Sequence, residues 1–253
     1  MKIKFSVVTV CFNAAKTIER TIQSVLSQTG ADIEYIIVDG ASNDGTLQIV
    51  ERYSARISKI VSEKDDGIFD AMNKGIGLAS GDVIYFLNAD DYFVDDHVLR
   101  DVAQPFETNA DISFVYGNVV LQDEPSGVLC FPARPFQKRS ISEFLHNSFC
   151  HQAVFVRRSL FTPLGTFDRQ YKYSADYEWI IRAFKRNAGK DFQFIDRNIA
   201  YYSCLGRSNQ HVKVTQKEVN RMQFKHFLSL EYAWYFFRYV FVRRLRKRLM
   251  TSG

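Results

Sequence analysis

The stretch Gly81-Asp-Val-Ile-Tyr-Phe-Leu-Asn-Ala-Asp-Asp91 runs a short apolar strand straight into two adjacent carboxylates. Residues 83–87 carry no polar break, the pattern of a strand covered on both faces. Upstream, the same kind of unit recurs. Residues 5–12 are an apolar run, and a helix is predicted over 15–28, with Ile18, Ile22, Val25 and Leu26 at helical spacing before Gly30. Residues 34–38 read as a second strand ending at Asp39-Gly40. Ser42-Asn-Asp-Gly45 offers turn and cap chemistry, and a helix follows over 46–53. Residues 57–62 read as a third strand. Glu63-Lys-Asp-Asp-Gly67 then leads into a helix over 68–79 that stops at Ser80-Gly81.

Strands alternating with helices of this length predict βαβ units and a mainly parallel sheet covered on both faces. Ligands of such sheets sit beyond the carboxyl ends of the strands. Acids fall at three of those ends: Asp39, then Asp65 and Asp66, then Asp90 and Asp91. An acidic crevice is expected there. Farther along, strands are expected over 114–121, 152–156, 192–195 and 200–203, with a hairpin-type turn at 123–127. An amphipathic helix over 174–185 sets Trp179, Ile180 and Phe184 on one face and carries Asp176 near its N-terminus.

A chain of 253 residues can bury a sizeable core without disulfides or structural metal. Hydrophobic residues at 46% and charged residues at 24% exclude a disordered or fibrous protein. The cysteines at 11, 130, 150 and 204 show no CxxC or zinc-type spacing, so reduced cytosolic thiols are the plain reading. The N-terminal apolar run is short, contains Ser6 and Thr9 and lacks a small-residue cleavage site. It reads as a strand and not as a signal peptide. No run of 18 apolar residues exists, so no membrane-spanning helix is predicted.

The net charge of +5 is unevenly placed: residues 211–253 carry +8, which leaves −3 for residues 1–210. The expected division is therefore one α/β domain over 1–210 and a basic, aromatic tail over 211–253. Within the tail, Trp234, Phe241, Leu245 and Leu249 fall near one helical stripe while most basic residues point elsewhere. Residues 232–250 thus suit an interfacial helix on an anionic membrane surface. The alternative is a helix packed on the domain with a solvated basic end. A nucleic-acid binder is disfavoured, because the body is acidic and no RNA-recognition or helix-turn-helix signature occurs.

Phosphate chemistry must be handled without the usual glycine loops. Phe12-Asn-Ala-Ala-Lys16 has no glycine, and no GxxxxGK[ST] occurs, which argues against dinucleotide and P-loop sites. Carboxylates cannot hold a phosphate directly, but Asp90-Asp91 could hold a Mg²⁺ or Mn²⁺ ion that does. The competing reading is that one of the two merely caps the next helix.

Four segments in order carry a resemblance: Ser6-Val-Val-Thr-Val-Cys-Phe-Asn13, Tyr35-Ile-Ile-Val-Asp-Gly-Ala-Ser-Asn-Asp-Gly-Thr46, Ser62-Glu-Lys-Asp-Asp-Gly-Ile-Phe-Asp-Ala-Met-Asn-Lys-Gly75 and Gly81–Asp91. Together they closely resemble family-2 glycosyltransferases of the GT-A fold, of the branch that builds bacterial capsule, exopolysaccharide or O-antigen. The likeness runs over residues 5–91 and more weakly to about 210. It implies a three-layer α/β/α sandwich and an inverting transfer from a nucleotide-sugar donor, a UDP-sugar, to a saccharide acceptor, lipid-linked in this branch. It also implies Mn²⁺ or Mg²⁺ as cofactor and a peripheral place on the inner face of the cytoplasmic membrane.

The resemblance assigns roles by position. Phe12 stands beside the nucleotide base, Asp39 at a uracil edge and Asp65 toward the nucleotide. Asp91 ligates the metal, and Asp90 contacts the ribose or the metal's water. Asp176, in Tyr173-Ser-Ala-Asp-Tyr-Glu178, matches the general base, with Glu178 as a competitor; Ala175 stands where many members carry Glu. Leu205-Gly-Arg-Ser208 replaces a Gly-Gly-[VI]-Ser loop, and its Arg207 could meet the diphosphate. His151 and Gln152 could line the acceptor site, against a purely structural reading. Asn73, Lys74 and Asp44 are expected to be structural. A rival reading is a catalytically silent module of the same fold that binds nucleotide or glycan at the membrane.

Overall fold

The computed structural model describes residues 2–121, 150–203 and 211–226. The turn at 123–127, the loop with Arg207 and the 232–250 segment lie outside the described residues. The first half follows the expected alternation. Strand β1 (Lys4–Cys11) leads to α1 (Ile18–Leu26), β2 (Asp32–Asp39) to α2 (Thr46–Glu51), and β3 (Lys59–Ser62) to α3 (Ile68–Leu78) before β4 (Val83–Phe86). A two-residue strand β5 (Tyr92–Phe93) and helix α4 (Val98–Thr108) come next. Then follow β6 (Phe114–Leu121), β7 (Val154–Arg157), a helical turn α5 (Phe161–Leu164), α6 (Ala175–Asn187), β8 (Phe192–Tyr202) and α7 (Val212–His226).

The described strands make one eight-stranded sheet in the order β3-β2-β1-β4-β7-β6-β8-β5. The pairs β1–β2, β1–β4, β2–β3 and β6–β8 are parallel, and β7 is antiparallel to both its neighbours. This is the expected α/β sandwich with mostly parallel strands. Period-two alternation along β1 divides the core. Phe5 and Val7 face α1, α2 and α4, while Val8 and Val10 face α3, α6 and α7. Gly75 lets α3 lie close on β1, since a side chain there would run into Val8 Cγ1.

Two stretches of the second half differ from the expectation. Helix α4 lies where no element is predicted, although Val98, Leu99, Val102, Ala103 and Phe106 are buried at helical spacing. Pro105 inside it hides that spacing, because proline removes one helical N–H. The two strands expected over 192–195 and 200–203 are a single strand, β8. Its polar centre is held in the sheet by partners. Arg197 pairs with Asp95 at 2.6 Å and Asp101 at 3.1 Å, and Asn118 donates to Asp196 at 3.2 Å. The β6–β8 register shifts beside Gly117, where a Cβ would strike the Arg197 carbonyl.

Antiparallel β7 enters the sheet beside the carboxyl end of β4, and β8 ends at the same edge. The topology thus brings Phe12, Asp39, Asp65, Asp90, Asp91, His151 and Ser203 together along one edge. The N-terminus of α6 brings Asp176 to it. No helix among the described residues is long and apolar enough to cross a membrane.

Candidate active site

At the β1 end, Phe12 stands out from the edge with 51% of its surface exposed, free to stack on a planar ring. Gly40 lies behind it. A Cβ on Gly40 would collide with Asp65 Oδ2 and come within 3.3 Å of the Phe12 ring, so ring, carboxylate and bare backbone converge. Asn13 and Ala41, on the two loops that meet here, both take positive φ (52° and 61°), a state that asparagine adopts readily and that strains Ala41. Asn13 N–H donates to Ser42 Oγ at 2.8 Å, and Asn43 N–H to Asn13 Oδ1 at 3.0 Å, which locks the loops together.

Asp39 holds this corner from beneath. It is fully buried, and its oxygens accept from Ser42 N at 3.0 Å, from the Ser42 hydroxyl and from Ser62 Oγ at 2.7 Å. Contact with a base edge requires one of those bonds to open. Asp44 ties the α2 start to the first loop by accepting from Ala15 N at 3.1 Å and Thr46 N at 3.0 Å, a structural part.

Beyond β4, Asp91 is 1% exposed. Its Oδ1 accepts from Ser203 N at 2.9 Å, and its Oδ2 is buried without a hydrogen-bond donor among the described residues. Burial, with the Asp90 carboxylate beside it, pushes the Asp91 carboxyl up to about 7. Burial likewise raises Asp90, which the Ser203 hydroxyl, His151 and Arg20 partly offset. Two desolvated carboxylates side by side are unfavourable unless a proton or a cation joins them. Asp91 does not act as a simple helix cap; α4 begins seven residues later.

Asp176 occupies the first turn of α6. Its Oδ2 lies 3.0 Å from His151 Nδ1, and both side chains are about a fifth exposed (22% and 23%). His151 Nε2 lies 3.2 Å from Asn88 Nδ2, on the loop that carries Asp90. His151 therefore links the acid pair to Asp176. Burial opposes a charge on this imidazole, but Asp176, with Asp91 and Asp90 beyond it, more than offsets that, so it titrates above its ordinary value. A cavity of about 30 Å³, lined by Phe86, Val154, Phe161, Phe167 and Trp179, lies against the pair.

Several expected residues have other work. Gln152 is 2% exposed and its side chain supports the Asp91 carboxylate. Glu178 is turned away from the crevice. It pairs with Arg182 at 2.9 Å and with His226 Nε2 at 2.8 Å, which removes it as a competing base. Asn73 exchanges two 2.9 Å bonds with the Phe167 backbone, and Lys74 pairs with Glu63 at 2.8 Å; both are structural.

The family model for glycosyl transferase family 2 matches residues 6–164. The chain belongs to that family. A PGL/p-HBAD biosynthesis glycosyltransferase of Mycobacterium bovis is 33% identical over 190 residues, covering 73% of this chain and 71% of that one. The amylovoran biosynthesis glycosyltransferase AmsB of Erwinia amylovora is 31% identical over 221 residues, covering 83% and 73%. Among solved structures, S. aureus TarS 1–349 in complex with UDP-GlcNAc superposes with a TM-score of 0.67 at 18% identity, over 94% of this chain and 73% of that one. Glucosyl-3-phosphoglycerate synthase of Mycobacterium tuberculosis, with Mn²⁺, UDP and phosphoglyceric acid, gives 0.61 at 18%, over 88% and 78%. These solved neighbours establish the GT-A fold.

For a family-2 glycosyltransferase the divalent ion must fit the residues present, and here it does. Asp91 Oδ2 is a buried oxygen lacking a donor among the described residues, beside a second carboxylate, and hard oxygens suit Mg²⁺ or Mn²⁺. No three His, Cys, Asp or Glu side chains among the described residues form a metal cage. Mg²⁺-type sites of that kind draw their other ligands from phosphate and water. Sequence reading missed Gly40, Ser203 and the His151–Asp176 pair. Only Gly40 left a signal, as a glycine directly after a strand-end acid.

Proposed function

We propose that this glycosyltransferase moves a sugar, with inversion, from a nucleoside-diphosphate donor to a hydroxyl of a saccharide acceptor. The observation that carries this is the spacing of two chemistries along one edge: a carboxylate pair suited to a cation, and a separate, partly exposed Asp176 held by His151. A catalytically silent module has no use for the second.

Phe12 stacks on the base, Asp65 faces its edge across Gly40, and Asp39 keeps that corner in shape. Asp90 and Asp91 hold Mn²⁺ or Mg²⁺, which when bound supplies Lewis-acid neutralisation of the diphosphate. Asp176 accepts the proton from the acceptor hydroxyl, the oxygen bonds to the anomeric carbon, and the nucleoside diphosphate leaves with the electron pair of the broken C–O bond. General-base help of this kind is worth about 10²–10⁴-fold. Arg207, outside the described residues, is assigned to the diphosphate from its place in the sequence.

A UDP-sugar is the proposed donor, supported by the bound UDP-GlcNAc and UDP of the structural neighbours. A cell-surface polysaccharide intermediate is the proposed acceptor, supported by the amylovoran biosynthesis relative, and its attachment to a lipid carrier is proposed from the sequence resemblance alone. The basic segment 232–250 would then bring the enzyme to the anionic inner face of the cytoplasmic membrane.

The test is calorimetric binding of UDP, GDP and CDP with and without Mn²⁺, on the wild type and on Asp91→Asn. Metal-dependent binding of UDP alone, lost in the variant, is the expected result. Absence of binding to all three would overturn the donor-site assignment, and metal-dependent GDP binding would replace UDP.

A further inference from the structure

The helix that carries Asp176 is not capped by its own residues. Ser174 stands at its N-cap, but its hydroxyl makes no cap bond to the helix. It donates instead to Glu218 Oε2 at 2.8 Å, in α7, 44 positions along the chain. The same carboxylate accepts from Lys172 N at 2.8 Å and Tyr173 N at 3.0 Å. One side chain thus fixes three consecutive residues that end two positions before Asp176.

The rest of α7 reinforces that grip. Met222 is fully buried in the same core cluster as Trp179 and Ile180, and His211, directly before α7, packs on the Tyr173 ring at 4.8 Å. At the far end His226 holds Glu178, and its carbonyl accepts from Lys185 Nζ at 2.8 Å. Helix α7 therefore holds the residues just before α6 together with Glu178 and Lys185 within it, while none of these bonds reaches the donor corner at Phe12, Gly40 and Asp65.

We propose that Glu218 is a positioning residue for transfer: it sets the loop 172–174, and through it the direction in which Asp176 meets the acceptor hydroxyl. Three bonds to a carboxylate make that loop rigid, because charge-assisted bonds are short and strong. A displacement of the base by an ångström is enough to lose on the order of 10²-fold in rate. This rests on Asp176 being the base, as proposed above.

Glu218→Gln in the full chain tests it, because the amide keeps the shape but opposes N–H and O–H donors with an NH₂ group. Two readouts are expected to move together. Amide hydrogen exchange at residues 172–178 quickens at least tenfold, with Ile36–Val38 in the central sheet unchanged. UDP release from UDP-N-acetylglucosamine, UDP-glucose or UDP-galactose, whichever is turned over, loses at least tenfold in kcat at unchanged donor KM.

In an Asp176→Asn background the same substitution should lose nothing further, which a general loss of folding would not reproduce. Glu218→Asp should recover part of the rate. If Glu218→Gln does not fold, Ser174→Ala removes one of the three bonds and should lower kcat several-fold. A folded Glu218→Gln, or failing that a folded Ser174→Ala, with wild-type exchange at 172–178 or wild-type kcat overturns the proposal. Should Asp176→Asn itself retain full turnover, the base assignment fails while the exchange result still reports on Glu218.

Discussion

Asp176 and Glu178 share one helical turn, yet their surroundings give them opposite work. Glu178 is 2% exposed and held by Arg182 and His226, whereas Asp176 opens to the crevice beside His151. Asp176→Asn is therefore expected to lower turnover by about 10²–10⁴-fold with nucleotide affinity intact. Glu178→Gln should instead lower the unfolding midpoint, since it strands Arg182 and His226. Steady-state kinetics and thermal melts separate the two, and a Glu178→Gln enzyme that is stable but inactive would reverse the assignment. At Gly40 the nearest atoms met by the added methyl of Gly40→Ala belong to the Asp65 carboxylate and the Phe12 edge, side chains that can swing aside. Stability should change little, while UDP affinity falls about tenfold, a difference of ~1.4 kcal/mol readable by calorimetry. Unchanged affinity would remove Asp65 from the base pocket.

At the scale of elements, Glu34 of β2 joins four segments. It accepts from Ser6 Oγ of β1 at 2.6 Å, from Ser80 N and Oγ before β4 at 2.7 and 2.8 Å, and from Lys59 Nζ of β3 at 3.0 Å. Burial alone would raise this carboxyl, but the donors from Ser6, Ser80 and Lys59 more than offset it and push it down to about 2, from 4.5. Since the folded value is the lower one, the stabilisation is present above pH 4.5 and is lost as pH falls toward 2. Its size is about 3 kcal/mol. Glu34→Gln should lower stability at pH 7 and flatten the acid limb of the stability curve below pH 4.5. Denaturant titrations at pH 7, 4 and 3 would check this, and an acid limb as steep as the wild type's would refute it.

Glu34 was not singled out by sequence, because a lone acid in a strand has no local signature. The same holds for α4, whose apolar spacing is masked by Pro105, and for β8, whose polar centre stays in the sheet only because Asp95, Asp101 and Asn118 meet it.

Across the whole molecule, the two halves share the sheet through β4 and β7 and meet again where α3 touches the loop before α6. Asn73 binds the Phe167 backbone in both directions, and Asp70 pairs with Arg169. Asn73→Ala leaves a backbone N–H and C=O without partners, and about 1–3 kcal/mol of stability should go with them. Urea unfolding measures that, and a wild-type midpoint would mean that these two bonds add nothing to the β4–β7 pairing and apolar packing that also join the halves. By itself the sequence determined the alternating sheet of residues 4–91 and the acids at its strand ends. Those follow from local periodicity and turn chemistry, which act over a few residues. It also marked Asp176 through the motif around it. Only the tertiary structure decided that Asp91 is buried with an open oxygen, that His151 faces Asp176, and that α7 claims Glu178 and holds the three residues before α6. Each of these depends on contacts between segments 25 or more residues apart, and so on which surfaces the core brings together.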